Sequence, residues 1–169
     1  PSILSELLKQ PKEQWFSPLT QHLVDGEVSN ETLDAVLSLL SSPIGEPRQR
    51  MLLGEALGLL GDPRLLGPED EGYWARLSFD GFQLDVARNL VTTSEWKLFF
   101  DGPGYMDDGY WLEEGLAWRS GERPTWNDLA STEGSRRFSV PNQPVVGVSW
   151  HEAMAYAAFC GARLMHFDE

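Results

Sequence analysis

The chain has 169 residues, 41% of them hydrophobic and 11% aromatic, which is enough for one ordinary domain, or a small domain plus part of another, and shows no bias towards disorder. Thirteen Lys and Arg against 26 Asp and Glu leave a net charge of −13, a field that repels a phosphate backbone and argues against a nucleic-acid partner. No run approaches the roughly 20 apolar residues that span a bilayer, and the single cysteine, Cys160, excludes an internal disulfide and a multi-thiolate metal site; a soluble cytoplasmic chain with no membrane partner is expected.

Short helices are predicted over the first seventy residues. Ile3, Leu4, Leu7 and Leu8 form an apolar stripe that Pro11 ends. Ser29 or Asn30 caps a second helix bearing Leu33, Val36, Leu37 and Leu40 on one face, stopped by Ser41, Ser42 and Pro43. A third follows Pro47, with Met51, Leu52, Ala56, Leu57 and Leu60 at helical spacing and Gly61, Asp62 and Pro63 as its stop. Gly54 and Gly58 leave a smooth flank on that helix, where another helix has room to approach.

A change from Leu-rich to aromatic and Gly-rich texture places a boundary at residues 63–72. Phe82, Leu84 and Val86 alternate with Gln83 and Asp85, the pattern of a half-buried strand. Thr92 with Glu95 has the spacing of a capping box, and the helix behind it buries Trp96, Phe99 and Phe100. Residues 101–126 read as an ordered loop region pinned by Tyr105, Tyr110, Trp111, Trp118 and Trp126, rings too widely spaced for one helical face. Residues 144–148 read as a short buried strand. Ser149 and Glu152 repeat the capping-box spacing at the head of a helix from Trp150 to Cys160, which Gly161 ends.

These last residues carry a resemblance. The run Asn142-Gln143-Pro144-Val145-Val146-Gly147-Val148-Ser149-Trp150-His151-Glu152-Ala153, followed by Ala155-Tyr156 and Gly161-Ala162-Arg163-Leu164, resembles the signature of the formylglycine-generating-enzyme, or sulfatase-modifying-factor, superfamily. Leu90-Val91-Thr92-Thr93-Ser94-Glu95-Trp96 is similar to the family's Val-Thr-Asn-x-Glu-Tyr element, with Thr93 in place of Asn and Trp96 in place of Tyr. Gly104-Tyr105 through Trp111, Gly115 and Trp118 matches its aromatic loop. The resemblance covers residues 80–164 and implies an α+β chain: a small all-helical, repeat-like region at 1–66, then at 73–169 the N-terminal half of a loop-rich C-type-lectin-like domain of the formylglycine-generating type. Thr92, Glu95, Trp96, Tyr105, Trp111, Trp118, Gly147, Ser149, Trp150, Glu152, Tyr156, Gly161 and Arg163 are its signature positions, and they build the fold rather than carry a reaction. Trp150 and Tyr156 are expected to be buried against the loop at 104–118.

No catalytic, cofactor-binding or metal-binding residue is assigned. The superfamily's copper enzymes use a cysteine pair and its iron enzymes three histidines, whereas this chain has Cys160 alone, read as a small buried residue, and the scattered His22, His151 and His166. Asp101, Asp107, Asp108, Glu113 and Glu114 offer oxygens to calcium, the one possible cofactor, but without the spacing of a known calcium loop; a solvated acidic face is expected. Ser149 is engaged as a cap and His151 is expected to face outwards, so no hydrolase dyad is expected. The Leu60-Gly61-Asp62-Pro63-Arg64 run is similar to helical-repeat segments preceding such domains in bacterial signalling and defence proteins. The expected function is a non-catalytic ligand- or protein-binding module; the alternative is a fragment of an oxygen-dependent oxidoreductase of the formylglycine-generating or iron-dependent type. A second polypeptide, or the chain's own continuation, is expected to cover the surface around Trp150, Met154 and Phe159, because wet apolar area is costly.

Overall fold

The computed structural model describes residues 30–41, 47–79, 81–121, 126 and 139–166. The stripe at Ile3 to Leu8, the Ser29 cap, the Ser42-Pro43 stop and His22 lie outside the described residues, as do the side chains of Val36 and Leu52. The elements are α1 (Asn30–Ser41), α2 (Pro47–Leu60), β1 (Trp74–Phe79), β2 (Phe82–Ala87), α3 (Thr93–Phe100), two single 3₁₀ turns (Gly104–Met106 and Asp108–Tyr110), α4 (Glu113–Arg119) and α5 (Trp150–Phe159). The mixture of helices with one small sheet is an α+β arrangement. The chain divides into two compact units, the first ending at Leu65 and including Val140–Asn142, the second formed by Leu66–Ser139 and Gln143–Glu169.

In the first unit α1 packs on α2. Leu33, Leu37 and Leu40 are half-buried, and α2 buries Leu53, Ala56, Leu57 and Leu60, an i, i+3, i+4, i+7 stripe. Met51, expected on the apolar face, is 51% exposed, because the stripe starts two residues later, at Leu53. Pro47 opens α2, where a missing N–H costs nothing. The small flank of α2 receives a turn instead of a helix: a Cβ on Gly58 would stand 2.7 Å from the Val140 Cγ1 and closer still to the Asn142 amide.

The stop signal after α2 is a built structure. Gly61 takes φ 91°, a conformation glycine adopts without penalty. The buried Asp62 carboxylate then accepts from the Arg64 backbone N–H (3.0 Å), from Arg64 Nε and Nη2 (2.9 and 2.7 Å) and from Asn142 Nδ2 (3.0 Å), which also donates to the Gly54 carbonyl at 2.9 Å. Burial alone would raise the Asp62 pKa, but the hydrogen bonds from Arg64 and Asn142 outweigh it and hold the carboxyl below its ordinary value. A folded-state pKa below the unfolded one contributes stability that is full above the unfolded value and is lost as pH falls through the folded one. Acid titration should therefore loosen this unit below the ordinary carboxylate range. In Asp62→Asn the same melt, followed by circular dichroism, should start from a stability lower by about 1–3 kcal/mol and lose that acid limb.

In the second unit β1 and β2 pair antiparallel with Trp74 opposite Ala87 and Phe79 opposite Phe82. Leu84 and Val86 are half-buried as their alternation predicts, while Phe82 is 68% exposed. One face of the hairpin carries the Ala75–Val86 and Leu77–Leu84 pairs, and the other carries Ser78–Gln83 and the Arg76–Asp85 ion pair, with Nε 2.8 Å from Oδ1. Both predicted capping boxes form. Thr92 accepts from the Glu95 N–H at the head of α3, and Ser149 from the Glu152 N–H at the head of α5.

Two expectations are corrected. Residues 144–148 are not a buried strand: Thr92 and Pro144 form a single bridge, flanked by Thr93 N–H to Gln143 O (2.8 Å) and Val145 N–H to Val91 O (2.9 Å), and Val146 is 49% exposed. Pro144 has no N–H to extend a ladder, and Gly147 at φ 78° turns the chain out of it. Residues 101–126 are not all loop, since α4 forms within them, with Glu113 and Glu114 in its first turn and Arg119 in its last, complementing the helix dipole.

The core of the second unit is a ring cluster. Trp96 and Phe99 from α3, Tyr105 and Trp111 from the 3₁₀ segment, Trp126, and Ala155 and Tyr156 from α5 are all buried, with Phe100, Tyr110, Trp118, Phe159 and Cys160 packed around them. The α5 terminus closes this cluster with a complete Schellman motif: Ala162 N–H bonds Ala157 O and Gly161 N–H bonds Ala158 O, with Gly161 at φ 66°. Nothing lies within 4 Å of a Cβ built on Gly161. Gly161→Ala should therefore lose only the left-handed backbone preference, about 1–2 kcal/mol in a denaturant melt.

Candidate functional site

Each capping box does more than end a helix, because a helix cap employs only part of a carboxylate and burial demands that the rest be satisfied. Glu95 is 7% exposed; its Oε2 accepts from the Thr92 N–H (2.8 Å) and hydroxyl (2.7 Å), and its Oε1 accepts from the Tyr73 hydroxyl at 2.8 Å. Glu152, 2% exposed, accepts from the Ser149 N–H at 2.7 Å and from the Tyr105 hydroxyl at 3.1 Å. Two buried carboxylates thus each clasp a buried tyrosine from a distant part of the second unit. Burial, reinforced by Glu95, pushes the Tyr73 phenol well above its ordinary value; burial and the Glu152 charge do the same for Tyr105, against a smaller opposing effect of Arg119. The Tyr156 phenol is raised by burial first, then by its hydrogen bond with Cys160 and by the nearby Cys160, Glu95 and Tyr73. Burial pushes the Cys160 thiol up, against the opposing effect of Tyr156. A thiol so placed is a poor nucleophile.

Arg119 binds the aromatic segment together. Its guanidinium lies 5.1 Å from the Trp111 ring centre, donates to the Tyr105 carbonyl at 2.7 Å and pairs with Asp108. The Trp111 indole donates to the same carbonyl at 3.0 Å, and Trp126 donates to Val146 O at 3.0 Å.

Trp150 is the signature ring the sequence misplaced. It is 55% exposed rather than buried, and its ring meets the His151 imidazole edge-on at 5.2 Å. His151, expected to face outwards, is instead half-buried against Trp118 (5.8 Å) and beside Gly115, with Nδ1 enclosed and unpartnered among the described residues. The start of α5 turns residue 151 inwards and leaves residue 150 outside. Met154 and Phe159 are half-buried, and Phe159 packs on Phe99 (5.3 Å) and Tyr110 (5.5 Å). Arg163 is exposed, with Nη1 on the Leu164 carbonyl. Tyr73, Arg119 and Asn142 were not singled out as functional positions. The only signal for Tyr73 is indirect, since a buried cap carboxylate with two oxygens calls for a further donor, and 22 residues separate the partners.

The described residues do not fit the copper or iron of the resembled enzymes. Among them no three His, Cys, Asp or Glu gather as a metal group; Cys160 is tied to Tyr156, His151 is enclosed by rings and His166 is exposed. In the acidic segment Asp107 caps the Gly109 N–H at 2.9 Å and Asp108 pairs with Arg119, while Glu113 and Glu114 sit in the first turn of α4. No helix among the described residues is long and apolar enough to cross a membrane.

Three hercynine oxygenases are similar to the chain: that of Mycolicibacterium thermoresistibile at 38% identity over 85 residues, covering 47% of this chain and 19% of the relative; that of Mycobacterium tuberculosis at 36% over 92 residues, covering 47% and 20%; and that of Mycolicibacterium smegmatis at 36% over 85 residues, also 47% and 20%. The chain therefore matches only about a fifth of the length of these curated relatives. No solved structure matches it. The model of the sulfatase-modifying factor enzyme 1-like domain matches residues 46–169, reaching back through α2, and the chain belongs to that family.

Proposed function

We propose that this chain supplies the scaffold of the N-terminal half of a C-type-lectin-like domain in an oxygen-dependent oxidoreductase of the hercynine oxygenase kind, with the metal ligands and catalytic groups provided by other polypeptide. The observation that carries this reading is the 36–38% identity to three hercynine oxygenases. The site supports a scaffolding role, because its signature residues are spent on caps, tyrosine clasps and ring packing. In this reading residues 1–66 form a helical region of their own, residues 73–169 belong to the oxygenase-type domain, and any cofactor is held outside this chain. The half-exposed Trp150 and its neighbour Met154 are where a second polypeptide, or the chain's own continuation, seats.

The test is turnover by the full-length protein given ferrous iron, oxygen, hercynine and a thiol. Hercynine-dependent oxygen consumption, with a new carbon–sulfur bond seen by mass spectrometry, is expected. Oxygen uptake that ignores hercynine would remove the substrate, and no uptake from a folded, iron-loaded protein would remove the oxygenase reading. A non-catalytic module with a protein ligand is the second reading, favoured by one observation: Trp150 and His151 form an accessible aromatic corner with an enclosed, unpartnered ring nitrogen. Abolition of partner binding by Trp150→Ala in a protein without turnover would favour it.

A further inference from the structure

We propose that Tyr73, with Glu95 as its proton acceptor, is the redox-active end of a chain of oxidisable rings running through the second unit. The rings follow one another through the core. Trp126 and Trp96 stand 6.3 Å apart between centres and Trp96 and Tyr156 5.7 Å apart; the Glu95 charge acts on both the Tyr156 and the Tyr73 phenol; and Tyr73 meets Trp74 at 4.9 Å. Spacings of this kind allow a single electron to move along the series.

Two features give the chain a direction. Oxidising a phenol makes its O–H far more acidic, so a tyrosine surrenders an electron readily only where a base is already bonded to that proton, and Tyr73 holds Glu95 Oε1 at 2.8 Å inside the protein. Trp96 is the opposite case. Its ring is 1% exposed and its Nε1 finds no acceptor among the described residues, so an oxidised Trp96 has nowhere to send its proton and passes the vacancy on. The Tyr105–Glu152 pair offers the same chemistry in principle, but the Arg119 guanidinium lies over the adjoining Trp111 ring and its positive charge opposes a second one there. The vacancy is thereby steered towards Tyr73. Trp74, half-buried with its indole on the Pro68 carbonyl, is the way out to solvent.

A one-electron oxidant removes an electron from Trp96. Tyr73 refills it by way of Tyr156, its O–H bond breaks, and the proton moves to Glu95, leaving a neutral tyrosyl radical and a carboxylic acid. A soluble one-electron reductant of the ascorbate or thiol class returns the electron through Trp74, and Glu95 returns the proton. In the oxygenase reading, on which only the physiological role rests, the oxidant is a stray oxygen-derived species and the chain discharges it before it damages the core.

The test supplies its own oxidant and so stands apart from turnover. The purified full-length protein is oxidised with a photogenerated ruthenium(III) complex and followed by transient absorption and freeze-quench electron paramagnetic resonance. A neutral tyrosyl radical is expected. It should form more slowly in deuterium oxide, persist in Tyr105→Phe and Tyr110→Phe, and be lost in Tyr73→Phe. In the unsubstituted protein, spin-trap adducts mapped by mass spectrometry should fall on Tyr73, a readout that does not depend on how any variant folds. A radical unchanged by Tyr73→Phe, adducts on Tyr110 or Trp150 instead, or no tyrosyl radical at all would overturn the proposal, whatever the result of the hercynine assay.

Discussion

Trp96→Ala should abolish the cooperative unfolding of the second unit or lower its stability by about 3–5 kcal/mol, the range for truncating a large buried aromatic. Trp96 is 1% exposed and its ring meets those of Phe99 (5.3 Å), Phe100 (6.3 Å), Trp126 (6.3 Å) and Tyr156 (5.7 Å), so its removal opens a cavity where α3, α5 and Trp126 meet. Short helices and single turns cannot collapse onto such a space as a regular bundle does. Trp96→Phe, which refills part of the volume and leaves no unpartnered indole N–H, should recover most of the loss. Urea denaturation followed by near-ultraviolet circular dichroism distinguishes these outcomes, and equal midpoints for Trp96→Ala and the parent would show that the ring cluster is not the core.

The second large effect is expected at Glu95. Glu95→Ala takes the acceptor from the Thr92 N–H and the Tyr73 hydroxyl in a site that excludes water, at a cost of about 1–3 kcal/mol for each buried group left unpaired, and leaves the Thr92 hydroxyl only Ser94 Oγ at 3.0 Å. Relaxation of the α3 start will recover part of this, so a loss of about 3–5 kcal/mol is expected. Tyr73→Phe removes a single donor and leaves Glu95 with its other two, and should cost only about 1 kcal/mol. The ordering is the test. If Tyr73→Phe proves as damaging as Glu95→Ala in a thermal melt, the phenol and not the carboxylate is the centre of the clasp.

The same two positions mark what was legible in the sequence. Both capping boxes were readable, because Thr92 with Glu95 and Ser149 with Glu152 are local patterns closed within one helical turn, and so was the stop at Gly161, whose left-handed backbone is a property of one residue. Burial of Trp96 and Phe99 followed from the spacing on α3. The family resemblance was readable for the same reason, as it rests on runs whose internal spacing records local structure. The β1–β2 hairpin is half legible: alternation marks β2, while for β1 the pattern offers only the Asp80-Gly81 turn signal that follows it.

Tertiary structure decided the rest. Tyr73 bonds Glu95 across 22 residues and Tyr105 bonds Glu152 across 47, and no local pattern encodes which phenol a buried carboxylate will accept from. The stop signal Leu60-Gly61-Asp62-Pro63-Arg64 was legible as punctuation, but its binding of Asn142, 80 residues away, was not. Trp150 and His151 exchanged their expected places because helical phase alone does not say which neighbour faces the interior; that depended on where α4 brings Gly115 and Trp118. Local spacing by itself determined the caps, the helix starts and the family. Long-range satisfaction of buried polar groups, which a one-dimensional pattern does not carry, decided which of the chemically capable side chains stand together.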